Sequence, residues 1–278
     1  MPENLDHLRD WIGREERRAD WLTPDLAAKF HATLALPGAP PAEGEPAPPM
    51  IHLCLAQPAL PPDALGGDGH PQLGTFLPPV PLPRRMWAGG DLRFHAPLLV
   101  GERVTRVSRI AGVTPKIGRT GPLCFIDVEH EIRVGDDSRV AETQTLVYRG
   151  DDAPAPPAAE PAPEGETVRD VETTPTLLFR YSALTFNGHR IHYDRRYARE
   201  VEHYPGLVVH GPMQATLLCL LAAEIAGQTP RRFRFRSLST IFDGDGLRLH
   251  ARRTEAGVSL WTSRPGGPLA MSAEAEFA

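Results

Sequence analysis

From Met213 to Ala226 the chain reads MQATLLCLLAAEIA, and apolar residues fall on every face of the helix it predicts. Met213, Ala215, Leu217, Leu218, Leu220, Leu221, Ala222 and Ile225 leave no polar stripe, so this helix must be buried all round. Pro212 suits its first position and Gly227 its C-terminal cap. Such a helix needs a sheet around it, and strand-like runs follow at once: RRFRFRSLSTIF, GLRLHARRT, VSLWTSR and LAMSAEAEFA.

The first half of the chain repeats the plan. Thr23 and Pro24 open a helix over TPDLAAKFHATLAL. Strand-like runs come next: MIHLCLAQ, DLRFHAPLLVGERVTRVSRIAGV, LCFIDVEHEIRV and RVAETQTLVYR. The last two alternate as half-buried antiparallel strands do. PLLVGERV (97–104) and TIFDGDGL (240–247) place a glycine and then an acid at equal offsets, a weak internal repeat. Between the halves, DDAPAPPAAEPAPEGE (151–166) has linker composition, with no apolar period to pack. A long buried helix followed by four or five antiparallel strands is the hotdog arrangement.

Composition narrows the class. The net charge of -5 argues against nucleic-acid binding. No apolar run reaches about eighteen residues, and the charged N-terminus has no signal-peptide core, so no membrane span or export is expected. Cys54, Cys124 and Cys219 are scattered among apolar residues, which predicts reduced core thiols in a cytoplasmic protein.

Four of the eleven histidines crowd just ahead of the apolar helix, at His189, His192, His203 and His210. The first N–H groups of a helix have no internal partner, and the dipole is positive there. Gly211 would let a ligand carbonyl approach that backbone closely, although VVHGPM also reads as a plain strand-to-helix turn. His95, His130 and His250 lie in strand-like runs, where a solvated or satisfied core histidine is the default. Asp194 suits a helix cap. Arg231, Arg232, Arg234 and Arg236 are either a phosphate contact or a solvated strand face.

TFNGHRIHYDRRYA (185–198) followed by VVHGPM (208–213) resembles the MaoC-like hotdog hydratases and dehydratases. The nearer branch holds mitochondrial-type 3-hydroxyacyl-thioester dehydratases, fatty-acid-synthase-like dehydratases and mesaconyl-C4-CoA hydratases. RRMWAGGDLRF (84–94) is similar to that branch as well. The resemblance implies an α+β double hotdog, two antiparallel sheets each wrapped around a long helix. Residues 1–150 would be a degenerate hotdog, 151–166 a linker, and 167–278 the catalytic hotdog. His192 takes the place of the family's catalytic histidine, and Gly211 that of its oxyanion-hole glycine. Asn187, five residues before His192, stands where the family has an aspartate. His189 and Arg190 replace its Asn-Pro pair.

The implied activity is reversible addition of water to an α,β-unsaturated acyl-CoA or acyl-carrier thioester. Asn has one acceptor oxygen and cannot take a proton, so Asn187 would hold the water while His192 moves the proton. A neutral residue at 187 spares an anionic acyl chain repulsion, and His189, Arg190 and His210 would contact substrate. This favours a dicarboxylic acyl group such as mesaconyl-C4-CoA going to citramalyl-CoA. No cofactor or metal is called for, and two hotdogs in one chain are compatible with a further homodimer. A hotdog thioesterase and a non-catalytic acyl-thioester binder remain alternatives. The only acid in the apolar helix, Glu224, lies near its far end, which weakens the first.

Overall fold

The computed structural model describes residues 5–118, 121–150 and 160–277. The first half contributes β1 (Glu15–Trp21), α1 (Pro24–Thr33), β2 (Arg84–Phe94), β3 (Arg103–Gly118), β4 (Gly121–Val134) and β5 (Asp137–Arg149). The second contributes β6 (Thr167–Val171), α2 (Pro175–Leu184), α3 (Arg195–Glu200), α4 (Gly211–Ala226), β7 (Arg232–Ser237), β8 (Leu247–Thr254), β9 (Gly257–Ser263) and β10 (Leu269–Glu276). All ten strands form one antiparallel sheet in the order β1-β3-β4-β5-β2-β7-β10-β9-β8-β6.

Read outward from the β2–β7 seam, both halves have the same strand order. The repeat reaches single residues. Thr23 caps α1 through the Leu26 N–H, and Thr174 caps α2 through the Leu177 N–H, each with proline next. Before β3, the Glu102 carboxylate accepts from Leu99 N–H at 2.8 Å; before β8, Asp245 accepts from Phe242 N–H at 3.1 Å. The preceding glycines, Gly101 and Gly244, both take positive φ, which only glycine adopts without strain. The offset glycine–acid pairs in the sequence mark this duplicated turn.

The halves differ in what covers the sheet. α4 packs on β7, β8, β9 and β10, with Met213, Ala215, Leu218 and Ala222 fully buried. Among the described residues the first half has no helix of that length. Its α1 packs beside α2, and MIHLCLAQ, expected as a strand, is a short 3-10 turn over Ile51–Cys54. Met50 enters that turn at φ 73, and so short an apolar run cannot be told from a strand by period. The two expected sheets are joined edge to edge into one. Much of the 151–166 linker lies outside the described residues; its last part is fastened to the second half, where Trp261 Nε1 donates to Pro163 O at 2.9 Å.

At the seam, Gly89 pairs with Arg236 and Gly90 with Phe235. A Cβ on Gly89 would lie 2.6 Å from Phe235 O, and one on Gly90 2.7 Å from the Phe235 ring. Phe233 and Phe235 face inward while Arg232 pairs with Asp91 and Arg234 with Glu276, so the basic stretch is an outward strand face holding ion pairs. Gly90→Ala should therefore destabilise the protein by about 1–3 kcal/mol. Phe235→Leu should recover part of that loss in the double variant, measured by urea unfolding. Simple additivity would show that the glycine does not answer the ring.

Candidate active site

The signature segment is shaped by its own side chains. Thr185 Oγ1 donates to Tyr181 O at 2.8 Å and ends α2. Phe186 turns at φ 50, and Asn187 Oδ1 accepts from the His189 N–H at 3.0 Å. A 3-10 turn over Arg190–His192 follows, and Asp194 caps α3 through the Tyr197 N–H at 3.0 Å, as the sequence led us to expect.

A loop of the first half clamps this segment. Arg190 N–H donates to Asp68 O at 2.9 Å, and Arg190 Nη1 to Gly67 O at 3.1 Å. Gly69 and Gly188 meet backbone to backbone, since a Cβ on Gly69 would lie 2.0 Å from Gly188 O. The clamp carries in His70, whose Nδ1 lies 3.0 Å from Asp68 Oδ2. Nothing in the sequence pattern around DGHP signalled this approach, because it is made by backbone and glycines 119 residues apart.

Four imidazoles then stand in file. The His70 and His189 rings are 4.3 Å apart, His189 and His192 are 5.5 Å apart edge to face, and His192 stacks on His210 at 3.7 Å. His192 Nδ1 lies 2.8 Å from the Val208 carbonyl oxygen. A carbonyl only accepts, so Nδ1 carries the proton and Nε2 keeps its lone pair in the neutral ring. Burial, aided by His189, pulls the His192 pKa down to about 3. The ring is therefore neutral near pH 7 and available as a base.

His192, His189, Asn187 and Gly211 all line one cavity of about 870 Å³. At Gly211 a Cβ would make only ordinary contacts, 3.7 Å from Ser237 Oγ and 3.9 Å from the Trp87 ring. Packing does not demand glycine there; the missing Cβ leaves the first N–H of α4 open to the cavity. Two other expected substrate contacts are placed elsewhere. Arg190 does not line this cavity; it pairs with Asp194 at 2.8 Å and lies over the Tyr197 ring. His210 is fully buried behind His192, with Nε2 2.8 Å from Ser182 Oγ, and supports the ring it stacks on.

Among the described residues, Asp68, His70 and His189 bring metal-type ligand atoms within 4.8 Å of one another. Asp68 and His70 already satisfy each other there by a hydrogen bond. His130, read from sequence as either a solvated or a satisfied core histidine, is buried and hydrogen-bonded to Ser108 and Gln144, yet it also lines the cavity.

His192 and His130, both pulled to about 3 by burial, and His210, pulled well down by burial, are neutral when folded. In the unfolded chain they protonate near pH 6.5. Below that pH the unfolded state binds more protons, so stability falls as pH drops from about 6.5 toward 3 and is flat above it. His130→Gln should remove about one proton from the slope of unfolding free energy against pH between 6.5 and 5. An unchanged slope would mean that His130 titrates normally in the fold.

A family model for hydroxyacyl-thioester dehydratase type 2 matches residues 50–243. The chain is 44% identical over 270 residues to a mesaconyl-C(4)-CoA hydratase of Chloroflexus aurantiacus, covering 96% of each. It is 30% identical to the mitochondrial hydroxyacyl-thioester dehydratase type 2 of Schizosaccharomyces pombe, over 78% of this chain and 80% of that one. A MaoC-like dehydratase from Phytophthora capsici shares the fold with TM-score 0.72 at 15% identity, over 99% of this chain and 98% of that one. A Mycobacterium tuberculosis protein described as a double hotdog aligns with TM-score 0.53 at 17% identity, covering 96% of each. With its duplicated hotdog topology and the histidine segment inside the matched region, the chain belongs to the hydroxyacyl-thioester dehydratase type 2 family, whose named members are hydro-lyases.

Proposed function

We propose that this protein is an enoyl-CoA hydratase that adds water reversibly to mesaconyl-C4-CoA, giving citramalyl-CoA. One observation carries the reading. A neutral imidazole with a free Nε2 shares a cavity with the open N–H at the start of α4. The similarity to a mesaconyl-C(4)-CoA hydratase supports the choice of acyl group.

In the hydration direction, His192 Nε2 takes a proton from water as its oxygen bonds to the β-carbon. Charge moves to the thioester oxygen, where the Gly211 N–H and the α4 dipole stabilise it. His192 then returns the proton to the α-carbon, and the atoms balance with one base. Asn187 holds the water through its side-chain amide. Its Oδ1 keeps a second lone pair beside the bond from His189 N–H. Residues 167–278 act as the catalytic hotdog domain, and residues 1–150 as a hotdog domain that walls the cavity. The buried free thiols Cys54, Cys124 and Cys219 fit a reducing, cytoplasmic setting. No helix among the described residues is long and apolar enough to cross a membrane.

The thioesterase alternative weakens further. Glu224, the acid of α4, pairs at the surface with Arg169 at 2.7 Å and does not line the cavity.

Enoyl absorbance and free thiol, followed together, test the reading. Wild type should consume mesaconyl-C4-CoA without releasing thiol, and His192→Ala should lower the rate by about 10²–10⁴-fold. Thiol release, or an active His192→Ala, would overturn it. Gly211→Ala should fold normally, since its Cβ meets only ordinary contacts, yet lose about tenfold or more in kcat.

A further inference from the structure

The cavity that holds His192 also reaches the inner face of the first half's sheet. The corresponding face of the second half lies under α4 and is mostly apolar, with Leu249, Leu260 and Ala273 buried and its Thr262 hydroxyl satisfied by Gln214 of α4. On the first half, uncovered by such a helix, one row across β1, β3, β4 and β5 is polar: Glu16, Ser108, His130 and Glu142 stand opposite one another in register. Arg18 and Arg106 face each other in the next row.

The charges there do not all close. Arg18 pairs with Glu16 at 3.0 Å, and Glu142 lies 3.4 Å from His52. Arg106 has no carboxylate within ion-pair distance among the described residues. Its Nε donates to His130 Nδ1 at 3.3 Å, and His130 is neutral. Glu142 Oε1 and Arg18 Nε are buried without a hydrogen-bond partner. Orphaned polar atoms, and a guanidinium whose nearest acids, Glu16 and Glu142, stay beyond ion-pair distance, are costly in a plain wall, and an alkyl chain laid on them would make the cost larger.

We propose that this face is an anion-accepting floor, and that Arg106 determines specificity by pairing with a carboxylate on the acyl group. The enzyme then prefers α,β-unsaturated acyl-CoAs bearing a second carboxylate and rejects alkyl tails that reach the floor. This rests on the hydratase reading above and adds to it the residue that selects the acyl group. The sequence reading gave the attractive charge to His189 and Arg190. Arg190 is occupied by Asp194, whereas Arg106, one of the arginines that line the cavity, comes from the other half.

Wild type, Arg106→Gln and Arg106→Lys should be assayed with mesaconyl-C4-CoA, crotonyl-CoA and trans-2-octenoyl-CoA. Wild type should favour mesaconyl-C4-CoA. Arg106→Gln should lose at least about tenfold in kcat/KM on it, chiefly through KM, with crotonyl-CoA turnover within about twofold of wild type. Arg106→Lys, which keeps the charge, should retain part of the preference. Equal losses on mesaconyl-C4-CoA and crotonyl-CoA, or no loss on either, would overturn the assignment while leaving the hydratase reading standing. If wild type hydrates none of these thioesters, the hydratase reading fails instead. Mesaconate as a free ligand still judges the floor: its stabilisation of wild type should vanish in Arg106→Gln, and equal stabilisation of both would overturn the assignment.

Discussion

The seam between β2 and β7 fixes where everything else stands. Two sheets can join edge to edge only if their backbones come within hydrogen-bonding reach, and here the Phe235 ring and carbonyl occupy the space that side chains at 89 and 90 would need. Two consecutive glycines remove the conflict, and the Asp91–Arg232 pair closes across the same strands at 2.9 Å. Once the seam is set, Trp87 comes to rest against Gly211, and the first half's inner face becomes the wall opposite α4.

The duplication then explains the cavity. Both halves keep the capped helix after the first strand and the glycine–acid turn before the third. Only the second keeps a long helix against its sheet. Where the first half lacks one, the 66–70 loop folds over toward the histidine segment and is held by Arg190 and by two facing glycines. The same lack leaves a polar sheet face open to the cavity. Burial keeps His192 neutral, and the Val208 carbonyl decides which nitrogen is free.

Much of this was legible in the sequence because it is local. The apolar run and its Pro and Gly ends gave α4, alternation gave β4 and β5, and TFNGHRIH with VVHGPM placed the histidine segment at the head of the helix. What was hidden depends on distant contacts. Asn187 could be read as a ligand-holding amide, but its Asx turn to His189 exists only in three dimensions. Arg190 looked like a substrate contact until Asp194, Gly67 and Tyr197 claimed it. His130 was read only as a strand histidine, solvated or satisfied in the core, and Glu142 was not singled out; that they face a cavity follows from the missing helix, which no local pattern announces. His70 reaches the site through glycine contacts that leave no periodic trace.

The central claim is a neutral imidazole base at the head of α4, and nitrogen-15 NMR of histidine-labelled protein tests it most directly. From pH 5.5 to 8, His192 should show a protonated Nδ1 and an unprotonated Nε2, with no titration in that range. An imidazolium at pH 6, or the opposite tautomer, would contradict the account.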